Sequence, residues 1–218
     1  MNSKLKGVII GVIAVLIIAA GIGGYGYITQ KISANEGIEH LNQKEYQKAY
    51  EKFEEASAKK TLIWTRQKSD VLFYKGESLY QLERYEEAVK VYDQLIEHGD
   101  ESRAYSFKAF CYMGLDQKEK ALKTCMEGIK EMPNAGDIYC TQYGILAKQG
   151  KYQQGLEVLE TALKQKDLKS KKNVLFTRIS AYEAMFDYKT AYKYAKEYVK
   201  AYPKDEKGKK ELTFLETR

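Results

Sequence analysis

The side chains of this 218-residue chain that could do chemistry are its two histidines, its three cysteines and a few adjacent acidic pairs. His40 falls on the packing rhythm of a helix, and His98 sits in "EHGD" before Gly99, where a cation suits the C-terminal end of a helix dipole. Neither belongs to a metal-binding or nucleophile motif. Cys111, Cys125 and Cys140 contain no Cys-x-x-Cys pair, and an odd count cannot form a complete internal disulfide set. Cys125 lies on an apolar helix stripe, which reads as a buried thiol. The pairs Glu54, Glu55 and Glu86, Glu87 fall on helix faces that water solvates. "GIGGYG", from Gly21, lies inside an apolar segment and lacks both the strand-turn-helix setting and the lysine of a phosphate loop. These residues predict no enzyme, no metal site, no cofactor and no small-molecule substrate.

The elements that would carry any function are helical. The chain has two prolines and nineteen tyrosines, and Ala, Glu, Lys, Leu and Gln recur throughout, a composition that favours helix over sheet. Its net charge of +6 is spread over both signs and does not demand an anionic partner. The basic run "KQKDLKSKKN", residues 164–173, has no interleaved aromatics and reads as a solvated loop, so no nucleic acid is expected.

The first residues differ from the rest. A short basic tail, 1–6, precedes an uncharged stretch, 7–28, that is rich in Val, Ile and Leu. At about 1.5 Å per residue it could cross a hydrocarbon core of about 30 Å. Tyr25 and Tyr27 fall where an interfacial aromatic belt would sit. This predicts a single-pass transmembrane signal anchor that contacts the lipid bilayer. The alternative is a cleaved signal peptide and a secreted protein, because the strongest apolar run, Val8 to Ala20, has the length of a signal peptide core. Lys4 and Lys6 outweigh Lys31 in flanking charge, so the N-terminus is expected in the cytoplasm and the bulk of the chain outside it. "GVIIG", Gly7 to Gly11, has the small-xxx-small spacing that lets membrane helices approach, which leaves a homo-oligomer open.

Beyond residue 30 the chain repeats itself. "YQKAYEKFEEA" from Tyr46 returns as "YEEAVKVYDQL" from Tyr85, "KEKALKTCMEG" from Lys118, "YQQGLEVLETA" from Tyr152 and "YKTAYKYAKEY" from Tyr188, at intervals of 39, 33, 34 and 36 residues. Positions three and four apart share one helix face, so Ala88, Tyr92 and Leu95 form a stripe in which alanine admits a neighbouring helix and larger groups fill the gap. A lone helical hairpin cannot bury both faces, whereas stacked copies bury one another. The longest interval holds "TLIW", with the one tryptophan, Trp64, and this segment reads as a helix extension or a filler of the groove beside it.

This pattern resembles the tetratricopeptide repeat family. The small residue early in each second helix is Ala49, Ala88, Ala121, Gly155 and Ala191, followed by Phe53, Tyr92, Cys125, Leu159 and Ala195, then by Ala56, Leu95, Gly128, Ala162 and Tyr198. Pro133 and Pro203 match the family's closing proline. In the first helix of each pair the small crossing residue is Gly37, Gly76 and Ala109, but Tyr143 and Ile179 in the last two units. The resemblance implies an all-α, right-handed α-solenoid of about five helix pairs, at 30–63, 69–102, 102–135, 136–169 and 172–205. One N-terminal transmembrane helix would precede it and a capping helix, 206–218, would follow.

The resemblance further implies a non-enzymatic, membrane-tethered adaptor or scaffold that binds other proteins, as a peptide or helix in a groove lined by the first helices of each pair. Transferred onto this register, that groove holds Asp70, Phe73, Glu77 and Tyr80, then Arg103, Ser106, Phe110 and Met113, then Asp137, Cys140, Lys148, Asn173, Phe176 and Glu183. A chaperone-tail receptor is not expected, because the first-unit positions of the family's carboxylate clamp are Ala34 and Ile38. The other reading is a structural or self-assembling protein of the cell envelope.

Overall fold

The computed structural model describes residues 3–59, 65–99 and 102–218, with side chains from residue 21 onward except at residue 22. All regular structure among these residues is α-helical. The chain divides into two units, 1–100 and 101–218.

In the first unit α1 (Ser3–Asn42) packs on α2 (Tyr46–Ala58), α2 on α3 (Arg66–Gln81), and α3 on α4 (Tyr85–Glu97). The second unit contains α5 (Ser102–Gly114), α6 (Lys118–Glu131), α7 (Gly136–Ala147), α8 (Tyr152–Leu163), α9 (Lys171–Ala184), α10 (Tyr188–Ala201) and α11 (Glu206–Leu215). There α5, α7 and α9 touch in succession as one layer, while α6, α8 and α10 pack against them as a second layer. The expected span at 7–28 lies within α1, but its side chains fall largely outside the described residues. Among the described residues no helix is long and apolar enough to cross a membrane. The "TLIW" segment also lies outside them.

The pairs close on a common backbone device. The turn between the helices of each pair holds one residue at positive φ: Lys44, Glu83, Asp116, Gly150 and Phe186. The next residue's N–H then bonds a carbonyl five positions back, Glu45 to His40 (2.9 Å) and Asp187 to Tyr182 (2.9 Å) for example. This is the left-handed C-terminal cap that satisfies the carbonyls a helix end leaves open. Four of the five positions carry a side chain where glycine is favoured. Phe186 is the extreme case, since its ring is 79% exposed and gains little from burial. Phe186→Gly is expected to stabilise the second unit by about 0.5–1 kcal/mol, after the entropy of glycine in the unfolded chain is deducted. Urea denaturation followed by circular dichroism reads the change.

The stripes read from the sequence are the core. Ala49, Phe53, Ala56, Ala88, Tyr92, Leu95, Ala121, Cys125, Leu159, Ala162, Ala191 and Ala195 are all completely buried. Glu86, Glu87 and Lys90 lie on the wet face of α4, and Tyr85 is half-buried with its ring 5.5 Å from Tyr80. Small residues sit where helices cross most closely. A Cβ added at Gly37 would stand 2.8 Å from Phe53, and one at Gly76 only 2.7 Å from Tyr92. The two departures from this rule are compensated across the pair. Tyr143 brings a ring to the crossing, and Gly155 on α8 recedes to admit it, its added Cβ being only 2.7 Å from that ring. Ile179 is met instead by Ala191 and Ala195 in one cluster. The last helix, α11, seats Leu215 in that same cluster and presses Gly208 against Tyr198.

Candidate functional site

The three cysteines lie within or against the packed helices, and the two histidines make local hydrogen bonds. Cys111 and Cys125 are fully buried and free, Cys140 is half-buried and free, and burial pushes their thiols up to about 12, about 12 and about 11. His40 joins Glu45 across a turn (2.7 Å), and His98 contacts the Gln94 carbonyl at the end of α4 (2.9 Å). No group of three or more potential metal ligands occurs among the described residues. The lysines of 164–173 are all exposed, but the run is a loop only as far as Ser170: Lys171, Lys172 and Asn173 form the first turn of α9, and Lys172 pairs with Asp205.

The groove positions separate between the two units. On α3, Asp70, Glu77 and Tyr80 are half-buried, whereas Phe73 is only 3% exposed, with its ring 6.1 Å from Tyr92. Phe73 is therefore buried and not presented as a surface contact. The physical reason is that α3 turns this position onto α4. On α5, Ser106 is likewise buried, and Arg103, Phe110 and Met113 are half-buried. Lys148 stands exposed just after α7.

The richest surface is on α7 and α9. Asp137 accepts hydrogen bonds from Ser170 Oγ (2.7 Å) and, at longer range, from Asn173 Nδ2 (3.4 Å). Thr177 donates to Cys140 Sγ at 3.5 Å. The start of α7 is pinned to the approach to α9 by backbone bonds: Gly136 N–H to the Lys169 carbonyl (3.2 Å) and Lys169 N–H to the Asn134 carbonyl (2.8 Å). These bonds fix the relative height of the two helices and so the spacing of the polar row they share.

Beside this row α9, α10 and α11 enclose a cleft of about 400 Å³, lined by Lys172, Asn173, Phe176, Thr177, Tyr198, Asp205 and Lys207. Asn173 is exposed at its edge, and the half-buried Phe176 forms an apolar wall, meeting Tyr198 edge to face at 5.5 Å. Asp205 is saturated: it takes Lys172 (2.5 Å), Tyr198 Oη (2.7 Å) and the N–H groups of Lys207 (2.9 Å) and Gly208 (3.1 Å). The Lys172 ammonium, followed by the Tyr198 hydroxyl, holds its carboxyl far below the usual range, while burial and Asp205 push Tyr198 up. Lys207 Nζ lies 4.1 Å above the Phe176 ring. A cation over an aromatic face keeps most of its positive field, so the cleft offers an apolar wall, an amide and a lysine to an incoming group.

Of this lining, only Asn173 and Phe176 are legible in the sequence as groove positions. Lys172 belongs there to a solvated run, and Asp205 and Lys207 to the end of the last repeat and its cap. Nothing in the "KSKKN" and "DEKGKK" runs signals that the turn after α10 brings them together.

At the other end of α9, Glu183 faces Glu211 of α11. Burial first, and then this second carboxyl, raise Glu183 from an ordinary 4.5 to about 7. The folded protein thus retains a proton that the unfolded chain releases between these values. Stability from this pair is full below about pH 4.5 and is lost as pH rises through 7. The lowered carboxylates, Asp205 among them, act in the opposite sense and at lower pH, losing their contribution as pH falls. Glu183→Gln is expected to flatten the decline in urea midpoint between about pH 5 and 8 and leave the acid limb unchanged.

A second cleft of about 380 Å³ opens on the other layer, where Met126 and Ile129 of α6 face Val158 of α8 across Tyr139.

Comparison with known proteins places this architecture. Residues 69–101 match the family described as tetratricopeptide repeat. No curated protein matches the chain by sequence. Among solved structures, a thermophilic repeat protein of this kind from Thermus thermophilus is 15% identical and superposes with a TM-score of 0.63, covering 87% of this chain and 100% of that one. A tetratricopeptide repeat protein from Parabacteroides merdae gives 0.55 at 13% identity, over 86% of this chain and 72% of that one. PilF of Pseudomonas aeruginosa gives 0.54 at 17% identity, over 87% and 82%.

Proposed function

We propose that this chain, whose tetratricopeptide-repeat fold is that of protein interaction scaffolds, is a membrane-tethered adaptor that holds an extended segment of another protein along the faces of α7 and α9 and in the cleft beside α11. The observation that carries the reading is the cleft's composition. One aromatic wall, one amide and a lysine over the ring suit an apolar anchor flanked by an acidic or carbonyl-bearing group. Asp137, Cys140 and Asn173 would extend the contact along the two helices, and Phe110 and Met113 would continue it on α5.

The tether rests on the uncharged run 7–28 behind Lys4 and Lys6, which favours a single pass with the repeats outside the cytoplasm. The test is site-specific photo-cross-linking in intact cells from position 173, at the cleft, against position 127, on the exposed face of α6. Partner adducts are expected from the first position and not from the second.

A further inference from the structure

The exposed apolar side chains of the first unit are not scattered. Tyr25, Tyr27, Ile28 and Ile32 are four of the seven large hydrophobic residues left exposed among the described residues, and all four lie within about two turns of α1. Tyr25, Ile28 and Ile32, spaced i, i+3, i+7, share one face and are 73%, 60% and 54% exposed.

The opposite face is already part of the repeat core. Gly26, Gln30, Ser33, Ala34 and Gly37 are buried. Gln30 is completely buried and ties three helices together: its Nε2 donates to the Ala56 carbonyl (3.2 Å), and its Oε1 accepts from Gln67 Nε2 (2.9 Å), which also donates to the Tyr27 carbonyl (3.1 Å). These bonds bring the end of α2 and the start of α3 level with residues 27–30. That is the level at which the uncharged run of α1 ends. Among the described residues two exposed cations stand there, Lys31 on α1 and Arg66 at the first position of α3. Lys59, just past α2, is paired with Glu55 (3.0 Å).

We propose that this end of the first unit is a docking surface for the headgroup layer of an anionic phospholipid bilayer. Tyr25, Ile28 and Ile32 enter the interface, and Lys31 and Arg66 meet lipid phosphates. The inference rests on the tethered reading of α1 and adds to it that the helix enters the repeats without a linker, so the first helix pair sits on the bilayer. The dimensions agree: Ile32 lies about 6 Å beyond Ile28 along the helix, and the headgroup layer on one side is about 5–7 Å deep. Continuity with the apolar run and the sign of the flanking charges select lipid over a second protein chain.

The experiment uses the full chain in vesicles made of equal parts phosphatidylcholine and phosphatidylglycerol, with bromine on the acyl chains as quencher. Trp64→Phe removes the native indole, and Ile32→Trp or Glu39→Trp reports position; both sites are exposed, so the fold tolerates the change. Ile32→Trp is expected to lose at least half its emission and Glu39→Trp little. Adding Lys31→Glu and Arg66→Glu should restore much of the Ile32→Trp signal. Equal, weak quenching at both positions in a chain that survives alkaline extraction overturns the docking surface and leaves the tether intact. A chain stripped from the vesicles by alkali overturns both. Shielding of position 32 with covalent cross-links between copies overturns the lipid assignment in favour of a second chain.

Discussion

Replacing Tyr92 with alanine is expected to destabilise the first unit by about 3–5 kcal/mol, the loss seen when a large buried aromatic ring is removed without room for collapse. Tyr92 is fully buried, lies against Gly76 and stands 6.1 Å from the ring of Phe73. The ring fills the space left by the absent side chain of Gly76, so its removal leaves a cavity and the cavity term should be large. Tyr92→Phe keeps the ring and should cost less than about 1.5 kcal/mol. The converse change, Gly76→Ala, places a methyl 2.7 Å from the far end of the Tyr92 ring and should cost about 1–3 kcal/mol, less than the alanine variant, because a side chain and not backbone must give way. Urea unfolding of the full chain, followed by helical circular dichroism, measures all three. A Tyr92→Ala loss below about 1 kcal/mol, well under the range for a buried ring, would mean that the small-against-large crossing does not hold the pair together.

The second large effect is at Gly136, and its sign is the informative part. As the first residue of α7, Gly136 would gain up to about 1 kcal/mol from alanine if helix propensity alone decided. The structure instead predicts a loss of about 2–3 kcal/mol, because the new Cβ would collide with the backbone carbonyl of Lys169 and stand 2.8 Å from Val174. A side chain could rotate away, but a carbonyl fixed by the Gly136 N–H bond cannot. Gly144→Ala is the matched control on the same helix. Nothing lies within 4 Å of its added Cβ, so it should gain about 0.5–1 kcal/mol. If both variants shift the same way, the pinning of α7 to the approach of α9 is not what sets their spacing.

These two sites show which kinds of information a single sequence carries. The Ala88, Tyr92, Leu95 stripe is readable because it lies within one helix at a fixed spacing. The accommodation of Tyr143 by Gly155 is not, since the compensating residue belongs to the partner helix and only the packed pair reveals it. The left-handed turns are hidden for a different reason: Lys44, Glu83, Asp116 and Phe186 occupy positions where glycine would have announced itself, as it does at Gly150. Register alone places Phe73 in the groove, and the orientation of α3 moves it into the core. The same register carries Asn173 and Phe176 to the cleft but cannot foresee that Asp205 and Lys207, on a different helix junction, close it.

On the proposed reading another protein binds at the α7 and α9 face, with its cleft beside α11. The most direct measurement is photo-cross-linking from position 173 in the full chain, repeated with Phe176→Ala and Lys207→Ala together. Discrete partner adducts are expected from position 173, with their loss in the double variant at unchanged helicity, and none from position 127 on α6. Adducts from position 127 alone, or adducts from position 173 that persist in the double variant, would contradict it.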